Sequence, residues 1–306
     1  MVQEAPEYLV VAVDPVNFEK PYMKVIEGVS TVHKVTPPDL SGHARLAHGY
    51  PAITATIINT QVPVTSYANW FSYQINFITQ NKEIEQAFEM TCRLYPGYKV
   101  RYVGDAGSDD QKMFAKVGQL KQEFAFRASH LERIVEVYNT RLDTVQLGWF
   151  QIRLPVYLEK ILWVIVAYDP SMDRQLVLIT NTPLETLAIV QQVYNDWRLR
   201  SRIEYGYRFD QEQGLDVEDM RVHSLDRMRR LFAIVLLSAQ IVFVITIHWP
   251  PKAVLWLRQL GGKLGLSSDR DGPYWLLHGI SEVITTSMTL SFAFLHPFPF
   301  AEINCG

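Results

Sequence analysis

Asp14 and Asp105 each follow a short apolar run, Tyr8–Val13 (YLVVAV) and Val100–Gly104 (VRYVG). Runs of this length and composition read as buried strands. If the two strands were parallel neighbours, both carboxylates would emerge at one carboxyl edge, where open α/β sheets place their ligands. Carboxylates held that close repel, and a bound divalent cation is the usual relief. Taken singly, each aspartate also reads as the opening of a turn, Asp14 before Pro15 and Asp105 before Ala106-Gly107. Far downstream, Trp197, Arg200, Glu204 and Gln211 fall at i, i+3, i+7 and i+14 of a helix predicted from about 184 to 213. That spacing holds one face with a drift of only about 20° per heptad. An aromatic, a guanidinium and a carboxylate on one stripe are not a core pattern, although a solvated face with an Arg–Glu pair fits the same spacing. Arg198, Arg202 and Arg208 add further guanidinium groups, planar donors suited to bidentate phosphate contacts.

The elements that must position these residues alternate in type. After the first strand come a predicted strand at Ala52–Thr60, a helix at Asn76–Leu94, the strand before Asp105, a helix at Gln111–Val117 and a strand at Glu123–Phe126. Such alternation predicts an α/β core containing parallel pairs. From 128 to 183 the pattern turns β-rich, with strands expected at Trp149–Leu154, Ile161–Tyr168 and Leu176–Thr180. Helical spacing resumes at about Leu184 and stops at Gly214. Leu231–Ile247 (LFAIVLLSAQIVFVITI) carries no charge and follows Arg227, Arg229 and Arg230. Its length suffices for a bilayer span, which takes about 17 to 25 residues, but a helix buried on all sides reads the same way. Two more helices are expected at about 253–264 and 272–292.

Composition excludes several classes. Among 306 residues, 29 Lys+Arg stand against 32 Asp+Glu, a net charge of −3, so the global charge gives no reason to expect nucleic acid. Two cysteines, Cys92 and Cys305, cannot build a disulfide framework or a Cys-rich zinc module. His43 and His48 have no Cys or carboxylate at metal spacing. Phosphate-binding loops and the nucleophile-elbow pattern Gly-x-Ser-x-Gly are missing from the sequence.

The segment Trp197–Arg230 (WRLRSRIEYGYRFDQEQGLDVEDMRVHSLDRMRR) resembles the signature region of DDE transposases of the insertion-sequence type, the IS-four group. Members carry Tyr, Arg three on, Glu four further and Lys seven further, then a Gly-Leu segment. Trp197, Arg200, Glu204 and Gln211 stand at those places, followed by Gly214-Leu215. Val11–Pro21 is similar to the family's first-aspartate strand and Tyr102–Phe114 to its second. Arg127 matches an arginine often found soon after the second aspartate.

The resemblance implies an α/β fold with an RNase H-like core, a mixed sheet flanked by helices, made of residues 1–127 and 184–247. It also implies a β-rich insertion at 128–183 and a helical C-terminal segment at 248–306. Asp14, Asp105 and Glu204 would be the catalytic carboxylates and would hold two Mg²⁺ or Mn²⁺ ions. Trp197, Arg200, Arg127, Arg202, Arg208 and Gln211 would contact DNA. The partners implied are double-stranded DNA, at inverted-repeat ends and target, and a second copy within a DNA complex. A cytoplasmic, nucleoid-associated bacterial enzyme is expected, and the apolar run becomes a helix packed under the sheet rather than an anchor. Gln211 and Trp197 depart from the pattern: an amide replaces a charged phosphate contact, and an indole replaces a phenol. A helical DNA-binding region, usual before the first aspartate in the family, is expected to be absent, which leaves a truncated or non-catalytic remnant as the alternative, with a membrane anchor behind it.

Overall fold

The computed structural model describes residues 7–20, 25–34, 45–132, 134–135, 140–141, 147–154, 160–169, 174–203, 221–262 and 273–295. Its chain divides into two compact units, residues 1–208 with 217–234, and residues 209–216 with 235–306.

The first unit is built on a nine-stranded mixed sheet. In chain order its strands are β1 (Tyr8–Glu19), β2 (Ser30–His33), β3 (Leu46–Ile57), β4 (Val64–Trp70), β5 (Lys99–Gly104) and β6 (Glu123–Arg127). After the small ribbon of β7 (Ile134–Val135) and β8 (Thr140–Arg141) come β9 (Gly148–Ile152), β10 (Leu162–Asp169) and β11 (Arg174–Thr180). The order across the sheet is β2-β3-β1-β5-β6-β11-β10-β9, and β4 also pairs with β3. Strands β1, β5 and β6 are parallel neighbours, while every other pairing in the sheet is antiparallel.

Strand β1 is twice as long as its apolar run predicts. Past Ala12 it leaves β5 and continues against β3 alone, with Asp14 opposite Thr54 and Phe18 opposite Tyr50. Its other edge is thus unpaired where Pro15 lacks an N–H, which is how a proline is tolerated within a strand.

The β-rich segment 128–183 adds strands to the main sheet. Strand β11 pairs with β6, and β10 and β9 follow it, so all three extend the main sheet. The reason is visible at the seam: Ile179 and Thr180 are fully buried beside Phe126 and Ala125, which would otherwise be a raw apolar edge.

Helices cover both faces. Connections β4–β5 and β5–β6 carry α1 (Gln80–Leu94) and α2 (Gln111–Gln119), which pack Ile84, Ala87, Phe88, Met113, Phe114 and Val117 onto Leu9, Val11, Val13, Tyr102, Phe124 and Phe126. On the other face α3 (Leu187–Arg198) packs Val190 and Val193 over Val10, Ala12, Val103 and Ala125. Thr79 caps α1 and Thr186 caps α3, each side chain accepting a first-turn backbone N–H.

The apolar run lies in α4 (Leu225–His248). Leu225, Met228 and Phe232 belong to the first unit's core, where the Phe232 ring meets Phe18 and Trp70. Within the second unit Ala239, Val242 and Ile245 pack with Val254 and Leu257 of α5 (Pro251–Gly261) and Leu276 of α6 (Pro273–Leu295). Of the helix expected to pack under the sheet, the first turns pack in the first unit's core. Among the described residues α4 alone is long and apolar enough to cross a membrane, and 28% of its most apolar window is buried.

Candidate active site

Parallel pairing sets the strand ends that precede the two aspartates side by side. Ala12 pairs with Val103 across β1 and β5, and Gly104 with Phe126 across β5 and β6. Continuing both registers brings Asp14, Asp105 and Arg127 level at the carboxyl edge of three neighbouring strands. Side chains alternate along a strand, so Asp14 and Arg127 share the face on which Ala12, Val103 and Ala125 meet α3. Asp105, in extended conformation, caps a 3₁₀ turn at Ala106–Ser108, its Oδ1 accepting from the Gly107 N–H at 2.8 Å. The turn expected after Asp105 and the ligand edge expected before it are thus the same piece of chain.

Helix α3 ends over this edge. The Trp197 indole Nε1 donates to the Gly104 carbonyl at 2.9 Å, pinning the helix to the residue before Asp105. A 3₁₀ turn follows at Leu199–Ser201, tightening the predicted α-helical stripe. Arg200 comes off that turn with a guanidinium nitrogen 3.8 Å from Asp14 Oδ2, and the two side chains are 21% and 14% exposed. Trp197 therefore touches the residue before Asp105, and Arg200 reaches Asp14, at the carboxyl end of these strands.

Glu204, Arg208 and Gln211 lie outside the described residues. Arg202 has a different use from the phosphate contact expected of it. It donates to the carbonyls of Ile58, Thr60 at 2.8 Å and Gln61 at 2.9 Å, closing the loop after β3, and burial lowers its pKa. Asp110 caps α2, its carboxylate accepting from the Lys112 N–H. Asp109 instead accepts from the backbone N–H groups of Ser129 and His130 and ties down the chain after β6.

A buried polar network behind the edge holds α3 in place. Arg101 of β5, 5% exposed, spans the Asp196 carboxylate of α3 and the Glu123 carboxylate of β6, with 2.6 Å to Glu123 Oε2. Tyr8 donates to Asp196 Oδ2 at 2.8 Å and stacks its ring beneath the Arg101 guanidinium. Burial raises the Asp196 carboxyl despite its donors. It also pushes Tyr8 up to about 12, assisted by Asp196. Glu123 is lowered, because Lys99 and Arg101 together outweigh its burial. Sequence inspection misses this network: Arg101 alternates with apolar neighbours in a strand, and nothing local ties it to a helix 95 residues on. Gly104 is missed too, although a small residue between a strand and an aspartate was its visible mark.

Among the described residues, no three His, Cys, Asp or Glu side chains gather as a metal set, so the edge supplies two carboxylates and a guanidinium. Such a set can take a cation on the acids and a phosphate oxygen on Arg200.

No protein-family model matches the chain, and no curated protein matches it in sequence. A piggyBac transposase, solved by cryo-EM in a synaptic complex with hairpin DNA, matches it in structure with a TM-score of 0.55 and 9% identity. The match covers 96% of this chain and 55% of that one, so this chain corresponds to about half of the piggyBac chain's length. At that identity the likeness is one of fold: the chain has a transposase-like fold, a mixed α/β sheet flanked by helices.

Proposed function

We propose that the chain is the catalytic core of a DDE transposase of the IS-four type, performing metal-dependent phosphoryl transfer at the ends of an insertion sequence. The observation that supports this reading is the parallel register of β1 against β5 up to Ala12 and Val103, with Trp197 bonded to the Gly104 carbonyl and Arg200 3.8 Å from Asp14. The strand order around them supports it. An antiparallel trio, β4-β3-β1, is followed by two parallel strands with helices between, an order that an RNase H-like core would require.

The donors suit Mg²⁺ or Mn²⁺: hard carboxylate oxygens at an open edge, with room left for substrate oxygens. Asp14 and Asp105 would hold the ions, with Glu204 as the third carboxylate. When bound, a pair of such ions activates the attacking oxygen and stabilises the leaving one. The chain's own residues do the rest. Arg200 orients a phosphate against the carboxylate edge, its ion pair with Asp14 keeping the guanidinium aimed there before substrate arrives. Trp197 fixes the height of α3 over Gly104, and Arg101 and Asp196 fix its axis. DNA at inverted-repeat ends, and a second copy of the chain bound with it, follow as proposed partners.

The test is nicking of supercoiled DNA carrying the element's ends, with Mn²⁺ or Mg²⁺, by the wild type and Asp14→Ala. We expect metal-dependent nicking that falls at least about a hundredfold in the variant, as for loss of a group that acts only in the transition state. Equal nicking by both proteins would sink the assignment.

A further inference from the structure

Three guanidinium groups line a cleft of about 560 Å³ between the turn at Glu27 and the start of α4: Arg221, Arg227 and Arg230. All three are exposed, and Arg227 and Arg230 stand one helical turn apart. Their neighbour Arg229 differs, because its Nε is spent on the Trp70 carbonyl at 2.7 Å. The acids nearby are weak competitors. One Glu27 carboxylate oxygen accepts from the Leu225 N–H and so caps α4. Asp226 pairs with Arg230 at 2.9 Å, but the two side chains are 66% and 79% exposed, and such surface pairs contribute little.

Position gives the cleft its meaning. Asp14, Val16 and Phe18 alternate onto one face of β1, the face bearing α3 and Arg200. Phe18 of that same row holds Phe232 of α4, ring centroids 5.0 Å apart. From Asp14 to Phe18 is four residues of strand, about 14 Å. One turn of B-DNA is about 34 Å, so a duplex seated on the carboxylate edge and laid along β1 reaches the cleft within half a turn.

We infer that the cleft of Arg221, Arg227 and Arg230 is a second phosphate-binding site that grips the backbone of the same duplex engaged at Asp14 and Asp105. This rests on the transposase reading for its ligand, DNA. Arginine suits the task, since its fork meets phosphate oxygens in pairs and stays charged at any working pH. Backbone contacts of this kind position a duplex without reading its sequence.

Binding of a fluorescent 30-base-pair duplex of arbitrary sequence, titrated over salt in EDTA, tests the site apart from cleavage. Replacing all three residues by Gln is expected to weaken binding at least tenfold and to flatten the slope of log K against log salt by about 2 to 3, roughly 0.9 per phosphate contact. The triple Lys variant retains most of the slope, and both variants melt with the wild type because the side chains are exposed. A Gln variant with an unchanged slope overturns the site, as does a wild type that ignores duplex. Wild-type capture by phosphatidylserine vesicles in preference to duplex, abolished by the Gln changes, overturns it in favour of a membrane surface. Duplex binding with no metal-dependent nicking refutes the catalytic reading and leaves the cleft standing.

Discussion

Gly104 shows how little room the carboxylate edge leaves. A Cβ built there would overlap Ser108 Oγ and lie 2.6 Å from Ser108 Cβ, so the 3₁₀ turn capped by Asp105 must move to admit it. Its carbonyl also receives the Trp197 indole. Gly104→Ala is expected to cut metal-dependent nicking about tenfold or more while costing only about 1 to 3 kcal/mol in a denaturant melt, the range for overpacking. Nicking at the wild-type level would show that the turn yields without moving Asp105. Residues of this kind explain the unevenness of the sequence reading. Asp14 and Asp105 were legible because an acid ending an apolar run breaks a local pattern. Gly104, Arg101 and Asp196 act through partners 93 to 95 residues away, and no local pattern records that. Arg202 misleads for the complementary reason: a guanidinium among other guanidiniums looks like a phosphate ligand, yet three carbonyls of one loop already use it.

Among the elements, α4 has the least usual surface. Its buried positions, Leu225, Met228, Phe232, Val235, Ala239 and Val242, recur every three or four residues, as one stripe of a helix does. Away from that stripe Leu237 is 62%, Ile241 50% and Val244 45% exposed. Hydropathy alone therefore hid a one-sided helix, since both its sides are apolar. Leu237→Lys and Ile241→Lys should leave the melting free energy within about 0.5 kcal/mol, as surface changes do. They should also reduce aggregation at high protein concentration, measured by light scattering, by breaking the patch. A large drop in stability would instead mean that this side is packed. The same contrast separates elements that were legible from those that were not. Period-2 and period-3.6 runs announced β1, β5, α1 and α3, but the destination of β9, β10 and β11 depends on which edge needs covering, and that edge is β6.

At the scale of the molecule, three tyrosines give the fold a defined alkaline limit. Tyr8, Tyr50 and Tyr67 belong to β1, β3 and β4, and each is raised from the ordinary 10.0 to about 12, chiefly by burial. Between those values the unfolded chain releases the phenolic protons while the folded chain keeps them, so the unfolded state gains stability as pH rises. Denaturant midpoints should hold steady up to about pH 10 and then fall through pH 12, with a shallower fall in Tyr8→Phe. A flat profile across that window would mean the phenols ionise freely in the fold.

The central strand also sets the order of assembly. Strand β1 is synthesised early, yet its parallel partner β5 arrives some ninety residues later, and α3 nearly ninety after that. Pairings so distant in sequence carry a loop-closure cost and form late. On the ribosome the β1–β3–β4 meander can form first, leaving the β5 side of β1 an open edge. Asp14 thus waits in a folded strand without Asp105, and both wait for Arg200. A nascent chain of this protein acquires its first antiparallel strands well before the carboxyl edge at Asp14 and Asp105 is complete.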